Sequence, residues 1–392
     1  MFTELRPSQR ILMGPGPTDV DPAVLRMMAA PVIGHMDPEF FAVLGDLAAG
    51  LRYAFQTRNE LTLTLSATGS GAMEACLANV LEPGDRVVVG VAGYFAERLA
   101  LIAERLGAQV VRVAAAWGTP VLLEEVRKAV EAAPTKVIGM VHGETSTGVL
   151  QPLEGFGALA REHDALLLVD TVPSLTGVPL SVDAMAIDMC YTGSQKCISA
   201  PPGLAPVTIN ERARAAMLAR KTPVSFYFDF QLLDRYWFGD HMYHHTPPVN
   251  LYYALHEALR QIQEETLEVR AARHAAAQRL LLDGLAEIGL QPFVAPEHRL
   301  VTVTTVRIPE GVDDMAVRRI LLQRYGIEIV GGLGELKGRI WRVGLMGYSC
   351  QDRNVTLLLG ALRRTLGEQG YRPAPAHVTS ATPVPLPVGA GA

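Results

Sequence analysis

Residues 165–203 read ALLLVDTVPSLTGVPLSVDAMAIDMCYTGSQKCISAPPG, and two features of this stretch decide how the rest of the chain is read. Leu166-Leu-Leu-Val-Asp170 is a short run that stays apolar until its last residue, the pattern of a strand covered on both faces of a parallel sheet. An unpaired carboxylate at that position is costly, so Asp170 calls for a cationic partner; taken alone it equally fits a helix cap or a metal ligand. The second run, Asp188-Met-Cys-Tyr-Thr192, leads straight into Gly193-Ser-Gln-Lys196, and Ala200-Pro-Pro-Gly203 behind it cannot be helical. Lys196 therefore stands beyond the carboxyl end of a strand. Ligands of open α/β sheets bind there, and a partly desolvated amine can lose its proton and condense with a carbonyl. By itself, Lys196 also fits a solvated loop lysine.

Outward from this stretch, apolar runs alternate with helical spacing. Leu61 to Leu65, Arg86 to Val91, Gln109 to Val113, Lys136 to Val141, Ala165 to Val169 and Met189 to Thr192 read as strands. Met73 to Val80, Phe95 to Leu106, Leu122 to Ala132 and Phe156 to His163 read as helices, with turns such as Pro83-Gly84-Asp85 between them. This is the signature of βαβ units and a parallel sheet. Residues 249–287 predict one or two long helices, and the pattern restarts at Leu300 with strands Val301 to Val306, Glu328 to Val330 and Ile340 to Val343. Helices are expected over Met315 to Tyr325 and Arg353 to Leu366, so the second unit is a smaller α+β domain. The expected division is an arm over 1–22, a large domain over 23–262, a small domain over 263–371, and a disordered tail over 372–392 that holds five prolines.

The chain has 392 residues, 49% hydrophobic and 19% charged, with a net charge of −5. That composition supports a large aliphatic core and supplies no global basic field for nucleic acid or anionic lipid. No apolar run approaches the ~20 residues that span a bilayer, and the first residues do not form a signal peptide. Cys76, Cys190, Cys197 and Cys350 form no CxxC pair, which fits free thiols and a cytoplasmic location.

Two further pieces bear on chemistry. Ser66-Ala-Thr-Gly-Ser-Gly-Ala72 joins a strand to a helix expected near Ala72, where free N–H groups, hydroxyls and the helix dipole make a phosphate cradle; a merely tight turn fits it too. Arg342 lies in the strand Ile340-Trp-Arg-Val-Gly and offers a fork for a carboxylate, or is an ordinary surface arginine. Cradle, aspartate and lysine have one joint explanation, pyridoxal 5′-phosphate, whose ring becomes an electron sink when an acid keeps its nitrogen protonated.

The ordered set Gly14-Pro-Gly-Pro17, Thr68-Gly-Ser70, His142-Gly-Glu-Thr-Ser-Thr-Gly148, Leu167-Leu-Val-Asp170, Gly193-Ser-Gln-Lys196, Met242-Tyr-His-His-Thr246 and Val330-Gly-Gly-Leu-Gly334 closely resembles the alanine–glyoxylate aminotransferases of class V, fold type I. The resemblance covers roughly residues 10 to 368. It implies an α/β fold with a mostly parallel seven-stranded sheet, a smaller α+β domain and pyridoxal 5′-phosphate as cofactor. It implies that Lys196 carries the cofactor, that Asp170 pairs with the ring nitrogen, and that Thr68, Gly69, Ser70 and Gln195 bind the phosphate. Phe95 stands where the family has a ring-stacking tryptophan, and it lacks the indole N–H. Thr145 falls near the ring hydroxyl, while Arg342 and Gly16 fall at the substrate carboxylate. Tyr243 and Thr246 would reach the phosphate of a neighbouring subunit, so a homodimer is implied.

The implied activity is transfer of the amino group of L-alanine to glyoxylate, with serine and ureidoglycine as alternative donors. Cysteine desulfurases share the fold but need a cysteine on a mobile loop, and none of the four cysteines has that setting. A binding module on a degenerate site, or an NAD-binding protein, leaves Lys196 unexplained. No metal is expected: adjacent His244 and His245 on an extended segment point opposite ways, and no acid or cysteine joins them. Gly331 to Gly334 form either a turn or a close approach for substrate, Cys350 is read as structural, and His35 lies in a segment bordering the pocket.

Overall fold

The computed structural model describes residues 2–222 and 224–372, so all of the expected tail except Arg372 lies outside the described residues. The chain begins with β1 (Ile11–Leu12), α1 (Pro22–Met27) and a long helix, α2 (Pro38–Phe55). Asp37 caps α2 by accepting from the Glu39 N–H at 2.8 Å, Pro38 suits its first turn, and Gln56 ends it in a left-handed conformation at φ 52°.

Alternation follows: β2 (Leu61–Leu65), α3 (Gly69–Val80), β3 (Arg86–Val91), α4 (Tyr94–Arg105), β4 (Gln109–Ala114), α5 (Leu123–Glu131) and β5 (Val137–Val141). A short hairpin, β6 (Gly143–Glu144) and β7 (Val149–Leu150), precedes α6 (Phe156–Glu162), β8 (Leu166–Asp170), β9 (Met189–Tyr191) and β10 (Ala205–Ile209). Seven strands form one sheet in the order β2-β10-β9-β8-β5-β3-β4, parallel throughout except that β10 runs against both its neighbours. The order places Asp170 directly beside Tyr191 in the β8–β9 register.

The four interior strands read directly from the sequence, β3, β5, β8 and β9, lie within a residue of their expected bounds, because each is an apolar run walled by helices on both faces. β10 was not among the strands read from the sequence. It contains Pro206, an unusual residue inside a sheet, and here the chain pairs it between β2 and β9 regardless. Helix α3 starts at Gly69, three residues earlier than expected, which draws Gly69 and Ser70 from the turn into the first helical turn.

Helices α7 (Glu211–Leu218) and α8 (Phe230–Trp237) lead to α9 (Val249–Glu265) and α10 (Leu267–Glu287). The long helical stretch is therefore two helices. Thr266 separates them at φ 67°, and its side chain caps α10 by accepting from Val269 N. A smaller three-stranded antiparallel sheet is built from β11 (Val303–Arg307), β13 (Val330–Gly331) and β14 (Ile340–Gly344), and β12 (Ile327–Glu328) pairs instead with β1. The single strand expected over Glu328 to Val330 is thus two short ones in different sheets; buried Ile327 and Ile329 anchor the turn between them. Helices α11 (Asp314–Tyr325) and α12 (Asp352–Glu368) cover this sheet. One apolar core surrounds the large sheet, and a second joins α10, α11, α12 and the small sheet, with Met13 of the first segment buried in it.

Candidate active site

The carboxyl ends of β5, β8 and β9 and the amino ends of α3 and α4 meet at one cleft. Thr68, Gly69, Ser70, Phe95, Thr145, Asp170, Gln195 and Lys196, all expected from the sequence, line it together.

Asp170 is the last residue of β8 and is 2% exposed. One carboxylate oxygen accepts from Val172 N at 2.8 Å and the other from the Tyr191 hydroxyl at 2.9 Å. Burial pushes its pKa up from 3.8 to about 6, and the two hydrogen bonds offset only part of that. No cation touches the carboxylate among the described residues, so it stands ready for one.

Lys196 follows β9 by a tight loop. Ser194 bolts that loop down through its hydroxyl to Pro201 O at 2.6 Å, and Ala200 N closes onto Ser194 O at 3.0 Å. The amine donates to Pro15 O. Burial lowers its pKa from 10.5 to about 8, with the Asp170 charge acting weakly the other way. About a tenth of Lys196 is therefore the neutral, nucleophilic amine at pH 7, far more than of an ordinary lysine. A Cβ on Gly16 would run into the Lys196 side chain, so a glycine there is a matter of room for the amine, at a φ of 107°.

Opposite, α3 opens with Thr68 as its first flanking residue, whose hydroxyl makes no capping bond. The first N–H groups of α3 have no partner within the helix and point, with the positive end of its dipole, at the cleft. A Cβ at Gly69 would press on Val172. The Gln195 carboxamide oxygen is buried without a partner, leaving an amide in the cleft that gains a bond only from something bound there. An anion fits this end: unpaired N–H groups, the Thr68 and Ser70 hydroxyls, and the carboxamide nitrogen of Gln195, whose orphaned oxygen takes a donor instead. A protonated ring nitrogen fits Asp170, and a carbonyl fits Lys196. The residues present match pyridoxal 5′-phosphate in each part.

Arg342 stands on β14 of the smaller sheet, 7% exposed. Its Nε donates to Gly331 O at 2.8 Å and one terminal nitrogen to Thr145 O at 3.2 Å, which spans the two units and leaves the other terminal nitrogen without a bond among the described residues. Burial lowers its pKa to about 10, so it stays charged. It is thus a held arginine, and the surface reading of it is set aside. Gly331 lies in β13 and Gly334 opens a short 3-10 helix, where Trp117 lies against it.

Tyr243 and Thr246 are not in this cleft. Both are exposed, Tyr243 to 56%, and they project from the chain on a segment near the α3 end. His35 is likewise absent from the lining and packs 5.4 Å from the Tyr243 ring. The expectation that His244 and His245 point apart is wrong. Their Nδ1 atoms lie 2.6 Å apart, because the backbone there belongs to no strand and the pleat rule does not apply. His244 Nε2 bonds Phe226 O at 2.8 Å and His245 Nε2 bonds Ser66 Oγ at 2.8 Å, tying this segment to the loop before α3.

Sequence reading missed two side chains. Arg98, on α4, lines the cleft and donates to Ser70 Oγ at 2.8 Å. Glu144, 1% exposed, accepts from Phe95 N at 3.0 Å, Ala96 N at 3.2 Å, Ser146 N at 3.0 Å and Ser146 Oγ at 2.6 Å, so it caps α4 from the β6–β7 hairpin. The only signal was its place inside His142-Gly-Glu-Thr-Ser-Thr-Gly148.

Residues 32–347 match the profile of the aminotransferase class V family. The chain is 43% identical over 363 residues to a rat (Rattus norvegicus) protein named alanine–glyoxylate aminotransferase, covering 91% of this chain and 88% of that one. It is 39% identical over 382 residues to a Bacillus subtilis protein named (S)-ureidoglycine–glyoxylate transaminase, covering 93% and 92%. A crystal structure titled alanine–glyoxylate aminotransferase, from Nostoc sp., superposes with a TM-score of 0.92 at 47% identity over 93% of this chain and 97% of that one.

Proposed function

The chain belongs to the class V aminotransferases, and from that premise we propose that it moves the amino group of L-alanine to glyoxylate, giving pyruvate and glycine in two successive half-reactions on one site. The observation that carries this reading is the placement of an amine with a lowered pKa between a buried carboxylate and a buried arginine. Bound pyridoxal 5′-phosphate supplies an electron sink for charge released at the substrate Cα.

In this reading Lys196 would hold the cofactor, and its Nζ, once freed by the donor, would take the proton at the substrate Cα and return it two atoms away, across the amino nitrogen. Asp170 keeps the ring nitrogen protonated, and Tyr191 and Val172 hold that carboxylate in line. Thr68, Gly69, Ser70 and Gln195 would hold the phosphate, Phe95 would lie against the ring, and Thr145 would hydrogen-bond near its hydroxyl. Arg342 binds the substrate carboxylate, with Gly16 giving it access beside Lys196. Tyr243 and Thr246 complete the phosphate site of a second subunit, so the working form is a homodimer. Their exposure, with that of Phe226 and Tyr227 nearby, supports this. The large unit to residue 262 holds the cofactor and the smaller unit after it brings Arg342.

Among the described residues all four cysteines are buried and free, which supports amino transfer over desulfurisation and suits a cytoplasmic setting. No described helix is long and apolar enough to cross a membrane. The Bacillus subtilis relative favours ureidoglycine as a second donor to test beside serine. Incubating the cofactor-loaded protein with L-alanine alone should release pyruvate up to one equivalent per chain and stop. Glyoxylate added afterwards should then yield glycine. Pyruvate release that needs both substrates together would overturn the two-step reading, and a faster first phase with serine or ureidoglycine would reassign the donor.

A further inference from the structure

Arg98 lies one helical turn after Tyr94 on α4, half-buried, and faces the cleft. Its Nη1 donates to Ser70 Oγ at 2.8 Å, and its guanidinium carbon sits 4.9 Å from the Phe95 ring centroid and 5.3 Å from that of Tyr94. The neighbouring acid, Glu97, is taken by Arg112 at 2.9 Å. Among the described residues no carboxylate pairs with Arg98, so a partly desolvated cation stands at the end of the cleft where the first turn of α3 presents its unpaired N–H groups. Such a cation is favoured when an anion joins it. The Ser70 hydroxyl accepts from Arg98, which leaves its own hydrogen free to point into the cleft.

We infer that Arg98 positions and charges the phosphate site, acting on the cofactor phosphate through the Ser70 hydroxyl and through its own positive charge. The inference rests on the cofactor reading above.

The test compares cofactor-free wild type, Arg98→Lys and Arg98→Met in titrations with pyridoxal 5′-phosphate and with pyridoxal, the same ring without the phosphate. Thermal unfolding of each protein without ligand checks the fold. Arg98→Met should weaken pyridoxal 5′-phosphate about 10- to 100-fold, the range of a charge-assisted hydrogen bond, and leave pyridoxal unchanged. Arg98→Lys should fall between. Inorganic phosphate should compete with the cofactor in wild type and much less in Arg98→Met. Equal weakening of both ligands, or of neither, overturns the inference; if Arg98→Met does not fold, the same comparison in Arg98→Lys decides. Wild type that binds pyridoxal 5′-phosphate no better than pyridoxal also overturns it while leaving the cofactor reading standing, whereas wild type that binds neither refutes that reading itself.

Discussion

At Asp170 the protein holds a carboxylate in a place that penalises it. Folded, it titrates at about 6 against an ordinary 3.8, so between those values the folded chain holds more protons than the unfolded one, and raising the pH removes stability. A shift of about two units amounts to about 3 kcal/mol. Buried His142, lowered to about 4, and His274, lowered to about 3, act in the opposite sense, since there the unfolded chain binds more protons. The difference between proteins isolates the carboxylate. In urea unfolding of the cofactor-free protein, wild type should lose about 2–2.5 kcal/mol relative to Asp170→Asn between pH 4 and pH 7, most of the full shift. A flat difference would mean that the carboxyl is not desolvated.

Asp170 and Lys196 were legible in the sequence because each closes an apolar run, and a strand's end can be read without knowing its neighbours. Arg98 was not legible. Within Phe95-Ala-Glu-Arg98-Leu it sits where an amphipathic helix carries polar residues, and only the packing of α4 against α3 turns it toward Ser70.

At the level of elements, the geometry of Phe95 depends on a helix end. Glu144 accepts four hydrogen bonds, two of them from the first N–H groups of α4, and it takes the place of the side-chain cap that Gly93 cannot supply. Glu144→Gln sets an N–H against one pair of those donors. It should lower stability by about 1–3 kcal/mol in denaturant unfolding, the cost of a buried group left unsatisfied, and should weaken cofactor binding as Phe95 shifts. Stability unchanged within error would show that the cap is dispensable. The sequence hid this cap, because Glu144 reads as one polar residue among several in a loop, and its burial follows from the hairpin folding under Gly93. β10 was hidden for a different reason: Pro206 argues against a strand, and only the gap between β2 and β9 overrides it. The presence and bounds of the remaining interior strands, though not their order in the sheet, follow from apolar runs alternating with helical spacing, which a sequence expresses directly.

On the scale of the whole molecule, the cleft holds Lys196 and the cradle, while Tyr243 and Thr246 face outward from the same chain. If those two serve a neighbouring subunit, defects should complement. Lys196→Ala and a Tyr243→Phe/Thr246→Ala double variant, each inactive or nearly so, should regain about a quarter of wild-type activity when unfolded, mixed equally and refolded, because half the dimers are mixed and each has one intact site. No recovery, with mixed dimers confirmed by mass, would place the pair in its own chain's service.

One further consequence follows from the first segment. Ile11–Leu12 hydrogen-bonds to β12, Met13 is buried in the smaller core, and two residues on, Pro15 O takes the hydrogen of the Lys196 amine. A short taut cord thus runs from the smaller unit to the reactive nitrogen. The amine is held through a segment that is itself paired with and buried in the smaller unit, so the reactive nitrogen is referenced to that unit as well as to the large sheet that carries it.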